Sequence, residues 1–176
     1  MDVFKAIEGR RSIRAFTSKP VSNRDVMKIL NAARQAPSAG NIQPWEFIVI
    51  RDVKIKRGLA RAALDQAFIE EAPVVIIVCA DESRSSQRYG KRGSTLYCFQ
   101  DTAAAIQNLH LAAYALGLST CWVGAFDEAE ARKLLNTPLN VRPVAIIPVG
   151  YPAEAPKPPR RRPLTEIVHY EKFSQK

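Results

Sequence analysis

Three guanidiniums fall within five positions in the segment Arg10-Arg11-Ser12-Ile13-Arg14, with the hydroxyl of Ser12 between them. Charges that close repel one another in any compact fold. A doubly charged group such as a phosphate would offset them, because the planar arginine fork matches phosphate oxygens two at a time. Taken alone, the run is a solvated basic turn. A second segment, Ala36-Pro37-Ser38-Ala39-Gly40-Asn41-Ile42-Gln43-Pro44-Trp45, sets a proline, small polar residues and an indole directly before the apolar run Phe47 to Ile50. Loops of that make, held by a rigid strand, are where ligands bind. The two segments together point to an anionic, planar ligand.

Other chemistries are poorly supplied. There is no G-x-S-x-G elbow for a serine hydrolase. Cys79, Cys98 and Cys121 each lie in apolar or aromatic sequence, outside any C-x-x-C, and read as buried free thiols of a reducing compartment. His110 and His169 have no second ligand at a recognised spacing, so no metal site is expected. Neither a G-x-G-x-x-G fingerprint nor a P-loop occurs, which leaves a dinucleotide without a Rossmann crevice. Gly90-Lys91-Arg92-Gly93 matches the G-x-x-G loop of KH domains, but its flanks do not read as the expected helix pair, and a basic nucleic-acid-binding domain is the minor reading.

A chain of 176 residues fits one domain with a real core. With 26 Lys plus Arg against 17 Asp plus Glu, the net charge of +9 favours acidic ligands. The longest apolar stretch, Pro73 to Ala80, is far short of the roughly 20 residues of a membrane span, and no amino-terminal signal pattern is present, so a cytoplasmic protein is expected.

The elements that must position these groups follow from periodicity. Val3, Phe4 and Ile7 mark a short helix, with Gly9 suited to a left-handed end. Ser22 and Asp25 open a second helix through Val26, Ile29, Leu30 and Ala33, which Pro37 stops. Glu46 to Ile50 is a strand, Val53 to about Leu64 a helix, and Val74 to Cys79 a strand buried on both faces. The polar stretch Asp81 to Ser94, with Gly90 and Gly93, reads as an excursion outside the framework, either a variable loop or a lid. Thr95 to Leu116 reads as one long, central helix ended by Gly117. A strand at Thr120 to Val123 follows, then a helix opened by Asp127 with Leu134 and Leu135 inward, and a strand at Val144 to Val149. The prolines from Pro152 to Pro163 predict an extended arm.

On these residues the chain resembles the FMN-dependent nitroreductase family, whose members open with R-x-S-x-[RK] and carry P-S-x-x-N-x-Q-P-W just before the first core strand. Further matches are the apolar strand after Ala72-Pro73, the Gln100 to Asn108 helix, Gly117-Leu118, the Trp122-Val123-Gly124 turn, and Gly150-Tyr151-Pro152 with basic residues beyond. The resemblance implies an α+β fold, a three-layer α/β/α sandwich with a central, mostly antiparallel sheet and a long central helix, in an intertwined homodimer. Residues 1–151 would form the FMN-binding domain and 152–176 an arm completing it. Carried over by position, Arg10, Ser12 and Arg161 would hold the FMN phosphate with Arg11 alongside, and Arg160 as the fallback for Arg161. Pro37, Ser38 and Asn41 would come from the opposite subunit. Arg14 would face the pyrimidine end of the flavin, where negative charge develops on reduction. The Val123-Gly124 turn would face N5 with a backbone N–H. Where larger members place an Asn and a Lys, this chain has Asp65-Gln66-Ala67-Phe68, so Gln66 would substitute and Arg14 would be the main electrostatic tuner. No catalytic side chain is implied, because the cofactor carries the reactivity. The implied activity is hydride transfer from NADH or NADPH to a nitroaromatic, quinone or similar small-molecule acceptor by a ping-pong scheme. Dehalogenation, azole oxidation and flavin breakdown are the alternatives on the same fold.

Overall fold

The computed structural model describes residues 1–173. Its centre is a four-stranded antiparallel sheet formed by β1 (Trp45–Ile50), β2 (Val74–Asp81), β3 (Ser119–Thr120) and β4 (Val141–Gly150), in the order β1-β2-β4-β3. β2 is the strand whose apolar run never alternates, and the reason is visible in its neighbours. Val74, Ile76 and Val78 pack on one face against α2 (Asn23–Ala33) and α6 (Cys98–Ala115). Val75, Ile77 and Cys79 pack on the other against α3 (Val53–Ala62), α4 (Phe68–Glu71) and α7 (Glu128–Leu135). Helices on both faces of a mostly buried sheet give the three layers implied by the resemblance.

Local signals account for the helix starts. Ser22 accepts the Asp25 N–H and its hydroxyl reaches the Asp25 carboxylate, a reciprocal cap on α2. Asp52 and Asp127 cap α3 and α7 by accepting the Ile55 and Glu130 N–H groups. α6 is buried through Ala105, Ile106, Leu109, His110 and Ala113, as its apolar character on several faces predicts.

Several expectations need correction. Residues 81–94 are not a loop: Asp81 caps α5 (Glu82–Arg92), and a π-helical turn, Gly93–Tyr97, joins it to α6. The stretch is polar because α5 faces solvent, and its Asp cap, Glu82 in the first turn and Lys91 and Arg92 in the last are helix signals that the glycines masked. The long helix therefore starts at Cys98. Gly9 is helical within α1 (Val3–Gly9) and has no positive φ; a Cβ there would run into the Tyr114 hydroxyl, so close approach is what requires glycine. β3 ends at Thr120, and Val123 makes only an isolated bridge to Ile146. Leu134 is partly exposed, although its methyls lie over Gly58. Trp45 is buried in the core rather than presented by its loop. The arm carries one short helix, α8 (Leu164–Ile167).

Candidate functional site

The Arg10–Arg14 segment leaves α1 and runs beside β3. Ser12 bridges Thr120 in parallel fashion, and the Ile13 N–H donates to the Thr120 carbonyl at 3.1 Å. The arm then returns antiparallel to the next residues. Thr17 N–H donates to Tyr151 O and Ala153 N–H to Ala15 O, both at 2.9 Å, and Glu154 Oε1 accepts the Arg14 and Ala15 N–H groups. This weave brings residues about 140 positions apart into one cleft of about 370 Å³, lined by Arg10, Arg11, Ser12, Arg14, Pro156, Lys157, Pro159 and Arg161.

Four predicted arginines and Ser12 thus meet in one place. Among the described residues no ion pair joins Arg10, Arg11, Arg14 or Arg161 to a carboxylate. The Arg10 guanidinium is pushed below its ordinary range, first by burial and then by the charges of Arg161 and Arg11. Arg11 spends part of its fork on the Glu8 and Arg10 carbonyls at the end of α1. Arg160 does not line the cleft, and Arg162 pairs with Glu166 at 3.2 Å.

Cys121, next to Thr120, is buried within reach of these charges without lining the cleft. Burial pushes its thiol up, while the Arg14 and Arg10 charges and a hydrogen bond from Ser12 act in the opposite sense. His110 stands behind it on α6, with Nδ1 2.6 Å from Thr120 Oγ1, and burial and then the Arg10 charge push it down to about 4. His110 is therefore neutral and ties the central helix to Thr120 of β3, the residue that Ser12 bridges. Neither residue, nor Glu154 and Lys157, was found from sequence. Their roles depend on pairings across the chain, and no local pattern signals those.

The Trp122-Val123-Gly124 turn divides. The Val123 N–H is bound by Ile146 O at 3.0 Å, and its side chain is buried. Gly124 instead lines a second cleft of about 480 Å³ with Phe99, Phe126, Glu128, Arg142, Pro143 and Val144. Gly124 is three positions beyond Cys121, at most about 10 Å along the chain from the thiol on which the Arg10 and Arg14 charges act. Trp122 is 42% exposed and tilts against His110, so it is a surface aromatic rather than a core one. Gln66 lines neither cleft, because its amide donates to Ala63 O at 2.8 Å.

Pro37, Ser38 and Asn41 are elsewhere. They belong to the loop around the single 3-10 turn Ala39–Asn41, which sits at the amino-terminal end of α6 through a bond from Ala39 N–H to Asp101 Oδ1 at 3.1 Å. The arginine cleft sits at the other end of that helix, where Tyr114 packs on Gly9. Thirteen residues of helix at 1.5 Å each set the two halves about 20 Å apart.

The sheet with helices on both faces and the basic cleft at its β3 edge define an α+β sandwich whose charge suits a phosphorylated ligand. The chain belongs to the nitroreductase family, whose model matches residues 7–70 and 61–151. A protein of Archaeoglobus fulgidus, provisionally named NADH dehydrogenase/NAD(P)H nitroreductase, is 37% identical over 87% of each chain. The NADH dehydrogenase of Thermus thermophilus is 33% identical over 96% of this chain and 95% of its own. Among solved structures, the NADPH:FMN oxidoreductase of Vibrio harveyi complexed with NAD+ superposes with a TM-score of 0.91 at 26% identity, covering 98% of this chain and 78% of its own. Among the described residues no helix is long and apolar enough to cross a membrane.

Proposed function

We propose that the protein is a homodimeric, FMN-dependent oxidoreductase that takes hydride from NADH or NADPH and passes it to a nitroaromatic, quinone or related small acceptor by a ping-pong scheme. The observation that carries this reading is the gathering of Arg10, Arg11, Arg14, Lys157 and Arg161 in one cleft, where among the described residues no ion pair joins the arginines to a carboxylate. The names of the relatives supply the identity of the anion. Arg10, Ser12 and Arg161 would grip the FMN phosphate with Arg11 alongside, each charge-assisted bond contributing about 1.5–3 kcal/mol. Gly124 would present a backbone N–H to the ring, and Arg14 would place a fixed cation at its pyrimidine end.

The two-ended layout on α6 supports the dimer. One chain cannot bring its own Ser38 loop to its own arginines, whereas a second copy would supply Pro37, Ser38 and Asn41 of the partner subunit. Apolar side chains exposed on α1 (Val3, Phe4, Ile7) and on the arm (Leu164, Ile167, Tyr170) are the surfaces such a pairing would cover.

FMN, when bound, supplies the two-electron chemistry. The residues of this chain align and charge the site, and none serves as acid or base. The sheet is antiparallel throughout and offers no crevice between parallel strands for a dinucleotide, which favours donor and acceptor using one cleft in turn. A visible absorption spectrum of the purified protein, followed by NAD(P)H oxidation with and without a quinone, tests the proposal. A colourless protein that takes up no added FMN would sink it.

A further inference from the structure

The basic residues of α5 lie outside the arginine cleft and are largely unpaired. Arg84 faces Glu46 at 3.9 Å. Arg88, Lys91 and Arg92 are exposed and, among the described residues, belong to no ion pair. Arg88 Nη1 donates to Gly40 O at 3.2 Å, and a Cβ on Gly40 would meet the Tyr89 hydroxyl at 2.5 Å, so α5 is seated directly on the Ala39–Asn41 loop. Two rings stand among the cations. Tyr89 and Tyr97 meet edge to face with centroids 5.2 Å apart. The Arg88 guanidinium is 5.6 Å from the Tyr89 ring, and that of Arg92 is 5.3 Å from the Tyr97 ring while its Nε donates to the Tyr97 hydroxyl at 2.8 Å.

The backbone departs from regular helix where this cluster forms. Gly90 has φ 54° and ψ −142°, a conformation open to glycine alone, and the π-helical turn follows three residues later. Gly93 is pressed against the Ser85 backbone, where any side chain would collide. Departures of both kinds concentrate at functional sites.

Unpaired cations beside aromatic faces suit a purine nucleotide: the rings stack with the base and the cations bind the phosphates. We infer that the cluster of Arg88, Tyr89, Lys91, Arg92 and Tyr97 docks the adenosine diphosphate half of the hydride donor, a half common to NADH and NADPH. This rests on the oxidoreductase reading, under which the Ala39–Asn41 loop stands at the cofactor of the other subunit. α5 then lies at the rim of that site, holding the far end of the donor while its nicotinamide reaches the ring. A nitroaromatic or quinone has no diphosphate and gains nothing from the cluster. The surface therefore separates donor from acceptor although both use one cleft.

The test is a calorimetric titration of the FMN-loaded protein with ADP-ribose, which is the NADH skeleton without nicotinamide. In parallel, kcat/KM is measured for NADH and for 1-benzyl-1,4-dihydronicotinamide, a hydride donor without phosphates. Lys91→Ala with Arg92→Ala is expected to weaken ADP-ribose roughly tenfold or more, and to lower the NADH to benzyl-donor ratio of kcat/KM by a similar factor. Lys91→Glu alone, at an exposed side chain outside any ion pair, keeps the test decisive if the double variant does not fold. The inference is overturned if the wild type binds no ADP-ribose, if its affinity is unchanged in the variants, or if both donors lose equally. A protein that refuses FMN yet binds ADP-ribose through these residues would sink the oxidoreductase reading and leave the docking surface standing.

Discussion

The two ends of α6 are built by different means. At its carboxy-terminal end the arginine cleft is woven from backbone, with Ile13 on Thr120, Thr17 on Tyr151 and Ala153 on Ala15. At its amino-terminal end the Ser38–Gln43 loop closes on itself through Asn41 N–H to Ser38 O and Ile42 N–H to Ala39 O, and side chains tie it to its surroundings. Asp101 accepts the Ala39 N–H, Ser38 Oγ accepts the Gln43 N–H, and Arg88 donates to the Gly40 carbonyl. That loop also holds Gly40, Asn41 and Gln43 at φ of 56°, 55° and 54°, a conformation costly for the two residues that carry a Cβ. A backbone weave survives most point substitutions, so lesions at the arginine end should act through charge. The loop has no such protection, and single substitutions there should act through geometry.

The largest effect expected is complementation between the ends. Arg10→Ala removes the half-buried cation, and Gly40→Val places a branched side chain at positive φ against Tyr89 and Arg88. Each homodimer should be nearly inactive. If the site is shared, a mixed dimer combines one intact site with one doubly damaged site, and random mixing should restore about a quarter of wild-type activity. Recovery no greater than the sum of the parents would mean that each chain builds its own site.

Next in size is the selectivity of the arginine end. Arg10→Ala or Arg161→Ala should weaken FMN by about 10- to 100-fold, the worth of one charged hydrogen bond. Riboflavin, which lacks the phosphate, should hardly respond. Fluorescence titrations with both ligands decide the matter, and equal losses would place these arginines away from the phosphate.

A third effect concerns the residue between the two ends. His110 is held neutral, pushed down to about 4, whereas in the unfolded chain it takes a proton near 6.5. The unfolded state therefore binds more protons between these values. Its contribution to stability is complete above pH 6.5 and is lost as pH falls toward 4, by up to about 3 kcal/mol. Asp101 has the opposite sign: burial raises its carboxyl, so its ionisation costs stability as pH rises out of the acid range. Urea unfolding from pH 4 to 7.5 should show the rise due to His110, and His110→Gln should flatten it. A slope unchanged in that variant would assign the pH dependence to another group.

The contrast between the two ends also sorts what could be read from the sequence. The caps of α2, α3 and α7 and the doubly buried β2 were legible because they depend on neighbours a few residues apart. Arg10, Ser12 and Arg14 were legible from their spacing as a candidate anion site, whereas Arg161 was legible only through the family resemblance, since bringing it home requires the arm to pair with residues 14–17. Residues 81–94 were misread because polarity and two glycines suggested a loop. Gly90 kinks the chain within α5, and Gly93 admits the close approach to Ser85. His110 gave no signal, because a lone histidine on an apolar helix reads as core until Thr120 is seen beside it.

The smallest effect expected is at Arg14, and it sharpens the contrast within the arginine end itself. Arg14 is exposed, whereas Arg10 is half-buried, and Arg14 is anchored through its backbone N–H to Glu154 rather than through its guanidinium. That leaves the guanidinium free to act as a fixed charge at a distance. Arg14→Met keeps much of the length and the backbone bond while removing the charge. A cation beside a ring that gains negative charge on reduction stabilises the reduced side of the couple, so its loss should lower the two-electron midpoint potential. A change on the order of 30 mV corresponds to about 1.4 kcal/mol for two electrons, and reduction by NAD(P)H should slow accordingly. FMN affinity should fall far less than in Arg10→Ala. Two titrations on the variant separate the roles, one of FMN and one of potential against a reference dye. An unchanged potential with badly impaired binding would make Arg14 a phosphate ligand and move the tuning charge to another residue of the cleft, where Lys157 is the cation not assigned to the phosphate.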